Sequence, residues 1–369
     1  MAKTLIPYAR PHQWGNELNF VVEAVSSGWL GSGPFIERFE NQLAELMNVR
    51  HAIVVSNGTA ALHAIYLALQ LRPGDEVIFP GFGYLAGANV AIQLGLTPVF
   101  ADVDQGNFCI TEQSVCEVLT RRTRAVVGIH TYGAMFEIEN LCALLSERNI
   151  AVIEDAAEAM GSRRNDHVAG SRGTAGILSF HAAKTITTGE GGAVLTSDDA
   201  VADQVRQVRS HGSLRERYFH DLAGHNFRMT NIQAALGVAQ LEAWSTIVAE
   251  RQRVAKKYRD QLLNLRMVRS QNFDPTESPV IWAVAAELDL PLGIDLNVVL
   301  KKLETHGIEA RNGFRSASEH SIYGRMRIAT PVSDALAKSV ISLPTYPGLS
   351  DSEIEYIVST LHKILLSLQ

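Results

Sequence analysis

Short runs of apolar and β-branched residues recur through the first two thirds of the chain, at 52–56, 76–80, 98–102, 125–130, 151–155, 176–180 and 192–197. Their length suits strands rather than helices. Helix-length amphipathic segments, such as 59–71 and 138–148, lie between several of them. Strands alternating with helices predict βαβ units, a largely parallel sheet and helices on both of its faces. Ligands of such sheets bind at the carboxyl ends of the strands.

The pattern changes after residue 230. The stretch 230–263 reads as one long helix or two with a bend, followed by weak strand signals at 279–285 and 340–343. The chain closes on a strong helix. Ser350 and Glu353 form a capping-box pair, and Ile354, Ile357, Val358, Leu361, Ile364, Leu365 and Leu368 repeat at helical spacing. The expectation is a large α/β domain over 1–245 and a small α+β domain over 246–369.

Composition narrows the function classes. The 369 residues are 46% hydrophobic and 20% charged, which suits a packed chain rather than a disordered one. Thirty-three basic against thirty-nine acidic residues give a net charge of −6, so binding of nucleic acid through general basic charge is disfavoured. Cys109, Cys116 and Cys142 are too few and scattered for a disulfide framework or a Cys-rich zinc site, and no His, Cys, Asp and Glu spacing suggests a metal. No apolar run approaches a membrane span. The opening residues carry Arg10, His12, Gln13 and Trp14 rather than an apolar signal core, so a cytoplasmic location is expected.

Three segments could carry chemistry. In Ser56-Asn57-Gly58-Thr59-Ala60-Ala61-Leu62, a strand ends, small polar residues turn the chain and a helix begins. That arrangement is an anion site, with Gly58 giving close approach and Thr59 a hydroxyl, or an ordinary helix cap. In Ile153-Glu154-Asp155-Ala156-Ala157-Glu158, an acid ends an apolar strand. A carboxylate buried there needs a cationic partner, such as a protonated pyridine nitrogen; it could equally cap the next helix. In 179–192, Lys184 sits within a small, polar, Gly-rich loop between two strands. A lysine partly shielded from water loses basicity and can form a Schiff base, whereas most loop lysines are solvated charges. The loop has no Gly-x4-Gly-Lys-Ser/Thr pattern. Gly81-Phe82-Gly83 falls short of a Gly-x-Gly-x-x-Gly fingerprint because Ala86 fills the third position, which disfavours a nicotinamide oxidoreductase. Together, a phosphate site, an acid for a ring nitrogen and a Schiff-base lysine, each at a strand end, are what pyridoxal 5'-phosphate requires. Tyr84 could stack on such a ring or merely pack.

These segments resemble the DegT/DnrJ/EryC1/StrS group of nucleotide-sugar aminotransferases, enzymes of the pyridoxal phosphate-dependent fold type I. The resemblance runs over nearly the whole chain. It is carried by 56–63, Gly74-Asp75-Glu76-Val77-Ile78, His130-Thr131-Tyr132-Gly133, 154–159, 179–192 and Asn226-Phe227-Arg228-Met229-Thr230-Asn231-Ile232-Gln233-Ala234-Ala235. It implies a mostly parallel seven-stranded sheet flanked by helices, plus a small C-terminal α+β domain. It also implies roles: Lys184 as the catalytic Schiff-base lysine, Asp155 on the pyridine nitrogen, Glu158 near the ring or its hydroxyl, and Tyr84 stacking on the ring. Gly58, Thr59 and Ser179 match phosphate contacts, and Asn226 matches an asparagine reaching the phosphate from a partner subunit. A homodimer with shared active sites is therefore implied, with Gly31-Ser32-Gly33 as a turn near the site.

The resemblance further implies L-glutamate as amino donor and a nucleotide-linked keto-sugar as acceptor, in deoxysugar biosynthesis. The motif details are most similar to members acting on a GDP-linked 4-keto-6-deoxy sugar, through Glu158, 184–192, Arg217-Tyr218-Phe219-His220-Asp221, 228–232 and Trp282. A 3-keto sugar, a dTDP- or UDP-linked sugar, or a non-catalytic sensor on the same fold are the alternatives; a related sugar 3-dehydratase has histidine in place of Lys184. Candidate diphosphate partners by charge are Arg206, Arg209, Arg215, Arg217 and Arg311, while His181, His220 and His320 suit structural or exposed positions. One departure stands out. The family frame Arg-Pro-x-Phe-x-Pro-x-His, near the sugar-nucleotide, is met by Arg311, Phe314 and Tyr323 without gaps, but Asn312, Ser316 and Ser318 replace the two prolines and the histidine.

Overall fold

The computed structural model describes residues 5–213, 218–324, 326 and 329–369. The seven strand signals form one seven-stranded sheet: β1 (His51–Val55), β2 (Glu76–Pro80), β3 (Thr97–Ala101), β4 (Thr123–Ile129), β5 (Ala151–Asp155), β6 (Ala175–Ser179) and β7 (Gly192–Thr196), in the order β1-β7-β6-β5-β4-β2-β3. Pairings from β3 through β6 are parallel, whereas β7 runs antiparallel to both β6 and β1. The reason lies in the connections. Helices return the chain between the parallel strands from β2 to β5, and the helix-free stretch 156–174 makes the parallel crossover from β5 to β6; residues 180–191 join β6 to β7 directly, and the chain reverses. Lys184 lies in that hairpin, and its start adjoins the carboxyl end of β5.

The stretch 230–263 is two helices, Asn231–Glu242 and Trp244–Leu262, bent at Ala243. A second, antiparallel sheet follows: β8 (Val268–Ser270), β9 (Val284–Leu288), β10 (Arg311–Asn312) and β11 (Val340–Leu343), in the order β8-β9-β11-β10. The signal at 340–343 coincides with β11. The signal at 279–285 is displaced from β9, because residues 279–283 cross towards the main sheet before the strand begins. β8 and β10 are too short to leave an alternating pattern. The C-terminal helix Asp351–Leu366 has the expected Ser350–Glu353 capping box. The chain's start joins this second sheet region, as Ile6 bridges Ile308. Its core gathers Tyr258, Leu303, Ile341, Leu361 and Ile364. Among the described residues, no helix is long and apolar enough to cross a membrane.

The three chemistry-bearing segments meet because β1, β5 and β6 all run in one direction, bringing their carboxyl ends to one edge. Gly192 brings them closer still. A Cβ there would stand 2.6 Å from the carbonyl carbon of Asn57 and 2.7 Å from the amide nitrogen of Gly58. Backbone cannot yield as a side-chain tip can, so Gly192→Ala is expected to cost about 1–3 kcal/mol and separate the lysine hairpin from the Gly58 turn. A thermal midpoint equal to the parent's would contradict this close approach.

Candidate active site

A cavity of about 630 Å³ opens at the carboxyl edge of the sheet, lined by residues from both sheets. Its floor begins at Gly58 and Thr59, the first turn of the helix Gly58–Ala68. Asn57 caps that helix, its Oδ1 accepting from the Ala60 amide at 2.8 Å. The amides of Gly58 and Thr59, the first two of the helix after this cap, face the cavity beside Ser179 as an anion cradle. A Cβ on Gly58 would sit 3.2 Å from the Ser179 Cβ, so a side chain would narrow the cradle.

Two neighbouring acids end β5 with opposite surroundings. Alternation sends Glu154 to one face of the sheet and Asp155 to the other. Glu154 is buried beside His130, with its Oε2 2.9 Å from the His130 Nε2. It also accepts from the amides of Gly170, Arg172 and Gly173 at 3.0, 2.7 and 2.8 Å. Burial pushes its carboxyl up, but the His130 bond and charge and these amides outweigh burial and hold it below the ordinary range. Asp155 lines the cavity and accepts from the Ala157 amide at 3.1 Å. Burial holds its carboxyl above the ordinary range, against the pull of that amide, Lys184 and His130. Asp155 is thus a buried acid in need of a cation.

Lys184 Nζ sits 3.8 Å from Glu158 Oε1 and 3.8 Å from the centre of the Trp282 ring. Burial draws its amine down from the ordinary lysine range, Glu158 and Asp155 oppose the shift, and Arg251 adds to it. Glu158 is 1% exposed. Burial pushes its carboxyl up to about 7, against Lys184 and the Tyr132 amide. That amide donates to Glu158 Oε2 at 3.0 Å from a residue at φ +54°, in the left-handed region that side chains rarely adopt. The Tyr132 ring stacks between Trp282 and Phe314, at 5.9 and 5.0 Å. Trp282 in turn donates from Nε1 to the Ala183 carbonyl at 2.7 Å, so the aromatic wall is tied to the lysine loop.

The cavity therefore assembles Gly58, Thr59, Tyr84, Asp155, Glu158, Ser179 and Lys184, along with His181, Glu190, Trp282, Arg311 and Phe314. The residues fit pyridoxal phosphate: an anion cradle, a buried acid lacking a cation, and a shielded amine share one space. Asn226 is not in it. Asn226 lines a second concavity with Gly31, Ser32, Gly33 and Arg228, and its Oδ1 accepts from Arg228 Nε at 3.0 Å. Tyr323, expected beside the substrate, is buried instead, because its hydroxyl donates to Asn89 Oδ1 at 2.6 Å. Arg206 and Arg209 are engaged elsewhere, with Asp203 and Glu40. Arg215 and Arg217 lie outside the described residues. His181 stands at the cavity, 4.0 Å from Glu190, whereas His220 is exposed and His320 lies edge-on to Tyr323.

Three contributors were not singled out by sequence reasoning: Glu154 as His130's partner, Tyr132 as a strained wedge, and Arg251. Arg251 did leave a signal, a charged residue within the apolar stripe Ile247, Val254, Tyr258 and Leu262.

Residues 12–362 match the DegT/DnrJ/EryC1/StrS aminotransferase family. The chain is 36% identical to the GDP-perosamine synthase of Vibrio cholerae over 357 residues, covering 96% of this chain and 97% of the relative. The aminotransferase TlmJ of Streptoalloteichus hindustanus superposes with a TM-score of 0.93 at 28% identity, over 99% of this chain and 100% of that one. Helicobacter pylori PseC, an aminotransferase involved in the biosynthesis of pseudoaminic acid, gives a TM-score of 0.93 at 26% identity, with the same coverage.

The raised Glu158 carboxyl has a consequence for stability. Its folded value lies above its unfolded one, so the folded state holds this proton more tightly. Stability from this group is full below the ordinary carboxyl value of 4.5 and falls as pH rises towards about 7. Glu158→Gln lacks that loss. In cofactor-free protein, the stability of the variant relative to the parent is expected to improve by roughly 3 kcal/mol from acid to mildly alkaline pH. Thermal midpoints measured across pH check this; a constant difference would rule out the shift.

Proposed function

From the premise that this chain belongs to the DegT/DnrJ/EryC1/StrS aminotransferase family, we propose that it moves an amino group from L-glutamate to GDP-4-keto-6-deoxymannose, giving GDP-perosamine. It is a pyridoxal phosphate-dependent sugar aminotransferase. The observation that carries the reading is the single cavity in which Lys184, Asp155, Glu158 and the Gly58–Thr59 helix start converge from distant parts of the chain. The GDP-perosamine synthase relatives support the choice of sugar.

Pyridoxal phosphate, when bound, supplies an electron-accepting ring that carries the amino group between donor and acceptor. The chain's own residues do the rest. Gly58, Thr59 and Ser179 bind the phosphate. Asp155 keeps a proton on the ring nitrogen. Lys184 would hold the cofactor and would take and return the proton at the reacting carbon as general base and acid. Burial, which draws its basicity down, favours the proton-accepting duty. Glu158 holds the Lys184 amine on the Trp282 side. Arg311 and Phe314 form the sugar-facing side with Tyr84, and Tyr323 supports it from behind. In this reading 1–245 form the cofactor-binding domain and 246–369 the smaller domain, and the protein works in the cytoplasm.

The working unit in this reading is a homodimer. The helix Glu17–Ser26 exposes Leu18, Val22 and Val25 in one stripe, continued by Trp29 and Leu30. Trp29 and Leu30 also line the concavity holding Asn226. An apolar patch running into that concavity suits a second copy of the chain, to which Asn226 would supply its phosphate contact. The double variant Val22→Asp with Trp29→Asp is expected to turn a dimer into a monomer in light scattering and to weaken cofactor retention. A parent protein that is monomeric at all concentrations would defeat the shared-site reading.

The decisive experiment follows the visible band of the protein loaded with pyridoxal phosphate. L-Glutamate is expected to bleach the band, and GDP-4-keto-6-deoxymannose, added after removal of glutamate, to restore it. Lys184→Ala is expected to abolish turnover. Bleaching without restoration would keep the aminotransferase and overturn this sugar, with 3-keto and dTDP- or UDP-linked sugars as the next acceptors. Absence of any band with excess cofactor would overturn the cofactor reading.

A further inference from the structure

Arg251 is 3% exposed within the buried stripe of the helix Trp244–Leu262. Its hydrogen bonds go to main-chain oxygens. Nη2 donates to the Lys184 carbonyl at 2.9 Å, and Nη1 donates to the Trp282 carbonyl at 3.1 Å and the Ile281 carbonyl at 3.4 Å. Among the described residues, no carboxylate pairs with it, and its buried Nε has no partner. Burial draws the guanidinium down to about 10, so it keeps its charge at neutral pH. A buried cation held by neutral carbonyls is costly to desolvate. Bulk packing at this position would be served better by leucine or methionine.

The bonds explain what the charge accomplishes. Lys184 and Trp282 are 98 positions apart, in loops that adjoin different sheets, yet the Lys184 amine rests on the Trp282 ring at 3.8 Å. Two hydrogen-bonding links among the described residues tie these segments: the Trp282 indole Nε1 donating to the Ala183 carbonyl at 2.7 Å, and the Arg251 fork, which bridges the two main chains. A lysine ammonium has no planar fork with which to copy that geometry. We propose that Arg251 is a positioning residue for amino transfer, clamping the main chain at Lys184 to the main chain at Trp282 and placing a fixed positive charge behind the lysine. The proposal rests on the reading of Lys184 as the cofactor lysine. The charged and titratable groups acting on Lys184 are Glu158, Asp155 and Arg251, with Tyr8 acting on Arg251.

The test uses the full chain in two forms. In cofactor-free protein, the Lys184 amine is titrated by competitive acetylation with acetic anhydride, read for its peptide by mass spectrometry across pH. Arg251→Met is expected to raise the Lys184 midpoint by roughly one pH unit, because a nearby cation is gone. Arg251→Lys retains the charge and is expected to restore the parent midpoint. In the loaded protein, Arg251→Lys is expected to release pyridoxal phosphate at least about tenfold faster, as charge-assisted bonds of the clamp are lost. An unmoved Lys184 titration in folded Arg251→Met, or an unchanged release rate in Arg251→Lys, overturns the proposal. Where circular dichroism shows Arg251→Met unfolded, the release rate of Arg251→Lys decides alone. A parent chain with no visible band would instead fail the cofactor reading, while the acetylation titration would still report on Arg251.

Discussion

Charge buried at the carboxyl edge of the seven-stranded sheet is the constraint on which the site depends. Asp155 and Glu158 lie three positions apart and are both almost fully buried, with a single ammonium at 3.8 Å from one of them. Left alone, each acid would take up a proton and the lysine would lose one. The surrounding structure stops that process part-way. Glu158 accepts the Tyr132 amide, Asp155 accepts the Ala157 amide, and the Lys184 amine lies against an indole face. Each group is left with fewer partners than its burial demands. Glu154 shows the alternative: with an imidazole and three amides its demand is met, and it becomes a strut. One step along the strand separates a satisfied carboxylate from an unsatisfied one. The unsatisfied one faces the cavity.

This contrast also explains which parts of the protein could be read from its sequence. The seven strands of the main sheet left apolar runs because they are buried on both faces, and the observed strands fall within two residues of those runs. The C-terminal helix was legible through its cap and its stripe. β8 and β10 were not, since strands of two or three residues are defined by their partners rather than by periodicity. At the site, Lys184, Asp155 and the Gly58 turn were legible because each sits at a strand end with small residues around it. Tyr132 was not, because its importance lies in a left-handed backbone that nothing but the following Gly133 hints at. Arg251 broke its helix's apolar pattern, but a pattern break says only that a polar group is buried, not what it holds. Tyr323 had the right spacing and the wrong place, because spacing does not reveal which face of a loop a ring takes.

The altered segment between Arg311 and Tyr323 gains a different meaning once its residues are placed. Asn312, Ser316 and Ser318 stand where the family frame has two prolines and a histidine. None of the three lines the cavity; Arg311 and Phe314 do. Ser316 is fully buried, and its hydroxyl, like that of Ser318, donates to Asp334 in the helix Pro331–Ser339. Asp102, at the end of β3, accepts from the Val332 and Ser333 amides and so fixes that helix to the main sheet. The segment is thus held by hydroxyl–carboxylate bonds where prolines would hold it by restricting φ. Phe314 still reaches Tyr132 and lies 6.4 Å from Tyr84. The departure therefore lies in the support of the cavity wall, not in its surface. The groups that do face the cavity on that side are His181, Glu190, Arg311, Phe314 and Tyr84. Of these, Arg311 joins a cation to an aromatic surface, with its guanidinium 4.2 Å from the centre of the Tyr8 ring. A diphosphate approaching Arg311 must compete with Glu309, 2.9 Å from the guanidinium. On the proposed reading, that pairing bears on the choice of sugar-nucleotide more directly than the missing prolines do.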